Sequence, residues 1–433
     1  MSDRLRGRDR APSSYVLLRT QASRRPDAPA ISAERALTWA ALFHEVEELA
    51  AGLLSSGVRA DHVALLAVRP GAASVVVELA LRAIGAVPVR IGPGAGAAET
   101  GQAFTVAPVS LVVVDHPERV DALAGLPLGR AKLLDLTDTA NLAGLVEVGR
   151  ARLRQEPDAI AHADRMVAAH ATLPRVVGSG GEALAPTESR QSMLLTAHDR
   201  VLLVGEPTDA FTWQVRSACL ATGAALGWVG GLEELADAIG VVQPTVLALA
   251  EGAATGLEPM LLDATVGGRR WHSAPGSVLD AVAAVAEGAV VGGPRVPRGS
   301  RRRATAIAAL RPWFGADLTQ VLVAVDTSRR LRSALDALDI DVDVEPAAEL
   351  ERADLPRPAA RRARPRPPLP QRQPSPVDRH FAALTRPEPV VEEEDEAIPA
   401  SPHLRPLLTG ESFLDRVLAE QAAARTAVPA TST

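Results

Sequence analysis

The chain has 433 residues, 47% of them hydrophobic, which is material for two or three ordinary domains and excludes a wholly disordered protein. Its 46 basic and 52 acidic side chains leave a formal charge of −6, which speaks against a general nucleic-acid surface. Only 3% of the residues are aromatic, so the core must be built from Ala, Val, Leu and Gly, and small aliphatic side chains suit helices laid over a mostly parallel sheet.

Residues Met1–Arg10 are charged and lead into no apolar stretch, which predicts no secretory leader, and residues 1–13 are read as a flexible N-terminus. No run approaches the roughly 18 consecutive apolar residues of a membrane span. Cys219 is the only cysteine and can form no intramolecular disulfide, so a soluble, cytoplasmic protein is expected.

In chain order, Trp39, Leu42, Phe43, Val46, Leu49 and Leu53 recur at helical spacing and predict a helix over Leu37–Leu54, ending at Gly57. A strand follows at His62–Val68, then a helix over Ala72–Ile84 closed by Gly85, then a strand at Val87–Ile91. The run Ser110–Asp115 is almost continuously apolar, as a parallel strand covered on both faces requires. Further strands are predicted at Ala131–Leu136, Arg200–Val204, Pro244–Leu249 and Gln320–Val325, and a buried helix around Cys219 over Arg216–Leu226. Strands alternating with helices imply right-handed crossovers and an α/β body over residues 14–350, with layered parallel sheets flanked by helices.

That alternation stops near Glu351. Residues 351–402 are rich in Pro, Arg and Ala and end in the acidic run Glu392–Glu396, a composition that cannot offset chain entropy by burial and reads as a disordered linker. Residues 403–433 regain a helical stripe through Phe413, Leu414, Val417, Leu418 and Ala422, an amphipathic tail expected to dock on a protein partner or back onto the body.

Several local signals carry little chemistry. Gly92-Pro-Gly-Ala-Gly-Ala-Ala98 lacks the final glycine of a dinucleotide loop and reads as a plain strand-to-helix connection. The nine histidines are scattered and no Cys/His cluster exists, so no metal site is expected. Glu206–Thr212 reads as a surface loop.

Leu37-Thr-Trp-Ala-Ala-Leu, Gly52-Leu-Leu-Ser-Ser-Gly-Val, Val63–Ala67 and Leu79-Ala-Leu-Arg-Ala-Ile-Gly-Ala-Val-Pro-Val89 follow one another in the order of the opening blocks of the AMP-dependent synthetases and ligases. With Asp199–Leu203, Gln243–Leu249 and Leu322–Asp326, the chain over residues 14–350 resembles that family, especially the large N-terminal domain of its long-chain acyl-CoA ligases. The resemblance implies a two-step chemistry in which a carboxylate attacks the α-phosphate of ATP and a thiol then takes the acyl group. It also implies a glycine-rich phosphate loop ending in a lysine.

The counterpart of that loop is Arg175–Ala185, where Gly178, Ser179, Gly180 and Gly181 keep glycine and hydroxyl positions while Leu184 stands where the resemblance puts the lysine. The adenine and Mg²⁺ motif should follow the strand near Val342, and there only Glu349 offers a carboxylate, with no aromatic or threonine beside it. The family's lid domain, with its second lysine, is replaced by the Pro/Arg linker, and Lys132, the chain's one lysine, lies in an early strand. The resemblance therefore implies a degenerate relative, acting as an accessory or scaffold protein, with no catalytic residue, no metal ligand and no certain cofactor. Two alternatives stay open: an active acyl-CoA ligase using ATP and Mg²⁺ through Gly178, Ser179, Gly181 and Glu349, and a sensor that binds nucleotide or acyl ligand without turnover.

Overall fold

The computed structural model describes residues 12–32, 36–92, 100–101, 109–116, 118, 131–166, 175–177, 183–186, 193–263, 314–345, 347 and 350–352. The first elements in chain order are α1 (Ser14–Arg24), β1 (Pro29–Ile31), β2 (Leu37–Thr38), α2 (Trp39–Ser55), β3 (Val63–Ala67), α3 (Ala72–Ala83), β4 (Val87–Arg90), β5 (Val109–Val114) and β6 (Lys132–Asp135). They are followed by α4 (Thr139–Gln155), α5 (Ala159–Met166), β7 (Arg175–Val177), β8 (Ala183–Pro186), β9 (Arg200–Val204), α6 (Ala210–Thr222) and β10 (Ala225–Val229). The remainder are α7 (Leu235–Val242), β11 (Val246–Leu249), α8 (Glu251–Asp263), β12 (Gln320–Val323), α9 (Arg329–Ala337), β13 (Asp341–Val344) and β14 (Leu350–Arg352).

Two seven-stranded sheets result, in the orders β13-β12-β11-β9-β10-β1-β2 and β14-β8-β7-β4-β3-β5-β6. Their centres are parallel, as the apolar strand runs predict, and antiparallel pairs occur only toward the edges, at β1–β2, β7–β8 and β8–β14.

Strand alternation fixes what each face buries. In β9, Leu202 and Val204 pack with Leu235, Ile239, Leu257, Leu331 and Leu335 of α7, α8 and α9 on the outer face of the first sheet. Val201 and Leu203 turn inward and share one core with Ala64 and Leu66 of the second sheet and with apolar residues of α1, α2, α3 and α6. The two sheets are therefore joined by a common helical layer.

Two glycines bring helices beside that layer into close contact. A Cβ added to Gly149 of α4 would run into the Glu48 carbonyl oxygen on α2, and one added to Gly52 of α2 into the Leu145 carbonyl oxygen on α4. Glycine here allows backbone contact between two helices, which is how a chain poor in aromatics still closes its interior.

Helix starts are set by side-chain caps: Ser13, Thr38, Asp138, Asp209 and Ser328 each accept a hydrogen bond from a backbone N–H in the first turn of α1, α2, α4, α6 and α9. Two expectations are corrected by local backbone chemistry. The helix predicted over Arg216–Leu226 ends at Thr222, because Gly223 turns left-handed at φ +85° and Ala225–Val229 continues as a strand paired with β9. The segment predicted as a surface loop, Glu206–Thr212, is a loop only as far as Asp209, which caps α6, and its last residues join that helix with Phe211 and Thr212 fully buried. At the start of α2, Leu37 and Thr38 pair with β1 rather than joining the helix. β14 extends the body through Glu351 and Arg352, residues that the composition assigns to the linker.

Candidate functional site

In open α/β sheets the carboxyl ends of parallel strands form the ligand-binding edge. β7 ends at Val177 on that edge, beside β4, and the chain returns antiparallel as β8 from Ala183. Leu184 is half-buried on β8, paired with Val176 of β7 on one side and with Arg352 of β14 on the other. The β8–β14 ladder, with Leu350 opposite Pro186, brings the residue after Glu349 next to the strand that follows the glycine-rich segment in sequence. Gly178, Ser179, Gly180, Gly181 and Glu349, nominated from sequence, lie outside the described residues.

Lys132 is at the opposite edge. It opens β6, so it marks the amino-terminal end of the second sheet, and its Nζ donates to the Ser56 carbonyl oxygen at the end of α2. A lysine tied there caps a helix and supplies no charge to the carboxyl edge.

At the carboxyl edge of the first sheet, the loops after β9, β11 and β13 carry acids. Burial pushes the Asp209 carboxyl above its ordinary value, Phe211 and Thr212 N–H groups pull it back, and Glu251 at the start of α8 pushes it up further. Burial likewise raises Glu345, just past β13, with help from Asp343. Of the groups the resemblance implies, ATP and Mg²⁺, the triphosphate would find no hydrogen-bond donor in the side chain of Leu184. Among the described residues no three metal-ligating side chains converge.

The densest polar site lies elsewhere and was not singled out from sequence. Glu78 of α3 is 2% exposed and is surrounded by three guanidinium groups. Arg90 Nε of β4 donates to Glu78 Oε2 at 2.9 Å, Arg216 Nη2 of α6 donates to the same oxygen at 2.9 Å, and Arg82 Nη1 stands 3.6 Å from Oε1. Arg90 Nη2 also donates to Ser74 Oγ at 3.0 Å. Trp228 of β10 presents its ring to Arg216 at 4.3 Å and to Arg90 at 5.4 Å, while its indole N–H donates to the Gly205 carbonyl oxygen. Burial is the largest influence on Glu78 and would raise it, but Arg216, Arg90 and Arg82 together outweigh it and hold the carboxyl far below its ordinary value. Burial pulls the Arg90 guanidinium down to about 10, against the attraction of Glu78. The sequence signal was present: Glu78 interrupts Val75-Val-Val and Leu79-Ala-Leu, and Arg90 ends a Val-Pro-Val strand, so each is a charge set in an apolar run.

The carboxyl edges of the two sheets meet nearby. A Cβ on Gly230, in the loop after β10, would sit 3.6 Å from Pro70 in the connection between β3 and α3. On the same side, Asp115 Oδ2 at the end of β5 accepts from the Arg69 backbone N–H at 2.8 Å and from its Nε at 3.2 Å.

The family model described as AMP-binding enzyme matches residues 18–250, more than half of the chain. The chain belongs to the AMP-binding enzyme family. Among solved structures, the AMP-binding fold here is similar to VinN in complex with L-aspartate, at 15% identity and a TM-score of 0.53, over 76% of this chain and 74% of that one. It is also similar to the NpsA N-terminal subdomain from Klebsiella oxytoca in complex with 3-hydroxyanthranilyl-AMSN, at 16% identity and a TM-score of 0.51, covering 79% and 76%. A third match is the N-terminal domain of FACL13 from Mycobacterium tuberculosis, at 13% identity and a TM-score of 0.50, covering 78% and 76%. At these identities the likeness shows the AMP-binding fold alone. Comparison with curated proteins finds no match. No helix among the described residues is long and apolar enough to cross a membrane.

Proposed function

We propose that this chain is a non-catalytic member of the AMP-binding family that works in the cytoplasm as an accessory or scaffold protein. The observation that carries the proposal is Leu184: the position that the family resemblance gives to the phosphate-loop lysine is a hydrocarbon side chain fixed in the β7–β8–β14 ladder. A triphosphate brings three to four negative charges, and catalysis at it is mostly electrostatic, so replacing the cation by leucine removes the main favourable term. Contact with a protein partner is assigned to residues 403–433, whose apolar stripe the surrounding linker cannot cover.

A second reading, an ATP- and Mg²⁺-dependent acyl-CoA ligase, is favoured by one feature of the backbone. Arg352 occupies the β14 position paired with Leu184, which sets an arginine position beside the lost lysine's own.

Incubation of the purified chain with ATP, Mg²⁺ and a mixture of carboxylic acids separates the readings. The non-catalytic reading expects no pyrophosphate above background and no ATP binding by calorimetry. Pyrophosphate release that Arg352→Ala abolishes would establish the ligase instead, and ATP binding without release would establish a sensor.

A further inference from the structure

The polar node opens onto a cavity of about 40 Å³ between α3 and α6, none of whose lining residues belongs to β7, β8 or β14. Three arginines face one glutamate there, an excess of two positive charges among the described residues. Glu78 is the only acid among the described residues that acts on Arg82 and Arg90. A buried charge is tolerated when it is paired, and the Trp228 ring compensates only in part.

The hydrogen-bonding inventory points the same way. Arg82 Nε, Arg216 Nε and the indole N–H groups of Trp39 and Trp213 belong to residues lining the cavity, are buried, and have no acceptor among the described residues. Arg90 Nη1 is in the same condition. Buried donors almost always find an acceptor, and a set made only of donors, with surplus positive charge, is complementary to an anion rather than to a neutral group. Apart from Glu78, already engaged by the arginines, and Ser217, the rest of the wall is apolar, including Leu79, Leu220 and Leu226, so the occupant should have one charged end and one greasy end. By volume, where about 10–15 Å³ holds one water, the space takes about three or four heavy atoms.

We propose that this cavity binds a short monocarboxylate of about the size of acetate, its carboxylate on Arg82 and Arg216 and its alkyl end against Leu79 and Leu226. The ligand would tie α3, packed on the second sheet, to α6, packed on the first, and so stabilise the joint between the two sheets. This site is independent of whether the glycine-rich segment 178–182 holds a nucleotide.

The test is a titration of the full chain in acetate-free buffer with sodium acetate, sodium chloride and acetamide, followed by tryptophan fluorescence and Tm. Acetate should give a saturable fluorescence change and a rise in Tm, while acetamide and chloride at equal concentration should not saturate. Arg82→Gln should weaken acetate binding at least tenfold while leaving Tm without acetate unchanged or higher, because it removes one of the surplus charges. A purely structural arginine would show the opposite. Ser217→Leu, which fills the cavity from α6, should abolish the acetate response with the fold retained. Equal saturation by chloride or acetamide, no saturable response to acetate, or an acetate response that survives Ser217→Leu would each overturn the proposal.

Discussion

Glu78 on α3 and Arg216 on α6 are bonded at 2.9 Å across the layer that joins the two sheets, 138 residues apart in the chain. The same carboxylate oxygen accepts from Arg90 of β4, so one side chain holds a helix to its own sheet and to the opposite one. Removing its charge would leave the guanidinium groups of Arg82, Arg90 and Arg216 repelling one another in the interior.

Glu78→Gln should therefore cost about 3–5 kcal/mol, the range for breaking a buried ion pair by removing one partner. Urea denaturation followed by far-UV circular dichroism checks this. A midpoint within error of the parent would show that the node contributes nothing to the joint.

The same carboxylate sets an acid limit. Its folded pKa is depressed, so its stabilisation is fully present above the unfolded glutamate value of about 4.3 and is lost as pH falls from there through the folded pKa. The parent should lose Tm steeply below that pH, and Glu78→Gln should show a shallower acid limb.

Asp209 behaves with the opposite sign. Its folded pKa is raised by burial, so the ionised form carries a penalty at neutral pH that disappears as pH falls through the folded pKa toward the unfolded value of about 3.9. Asn at this position keeps an oxygen for the Phe211 N–H without the charge. Asp209→Asn should match or exceed the parent Tm at pH 7–8, with the advantage shrinking toward pH 4. Asp209→Ala, which also loses the cap, should cost about 0.5–2 kcal/mol at either pH.

Gly149→Ala tests the backbone contact between α2 and α4. The added methyl meets the Glu48 carbonyl oxygen, which cannot move without displacing the helix, so a loss of at least about 1–3 kcal/mol is expected. Gly240→Ala, on α7 where the added Cβ meets nothing, should be neutral or slightly stabilising and serves as the control.

Cys219 offers a probe of opening. Burial pushes its thiol up to about 12, with Asp199 adding to the shift, so the folded chain should react negligibly with a thiol reagent at pH 8. The rate in increasing urea should rise in step with global unfolding. Fast labelling in native buffer would mean that the cavity beside α6 opens locally.

Legibility in the sequence followed length and coverage. Arg200–Val204 matches β9 residue for residue, because an apolar run buried on both faces is distinctive. The edge strands β2 and β14 and the strand β8 next to the edge have two to four residues each, too few to display a period, and β8 takes its outer partner from the far end of the body. The helix predicted over Arg216–Leu226 failed at Gly223, where a left-handed residue decides the boundary and the apolar pattern runs on past it. At the candidate nucleotide site, Leu184 was legible as a missing cation, whereas its pairing with Arg352 was not, since a cross-strand neighbour at that separation leaves no mark on local pattern.

What the sequence determined by itself was the alternation of strand and helix, the small-side-chain core and the positions where a charge or a leucine stands out of place, because these depend on spacing along the chain. Only the tertiary structure decided that Glu78, Arg82, Arg90 and Arg216 form one buried node and that Lys132 is spent at the far edge of its sheet. Electrostatic and hydrogen-bond energies depend on distance through space and on burial, and both are fixed only when the two sheets close on their shared helices.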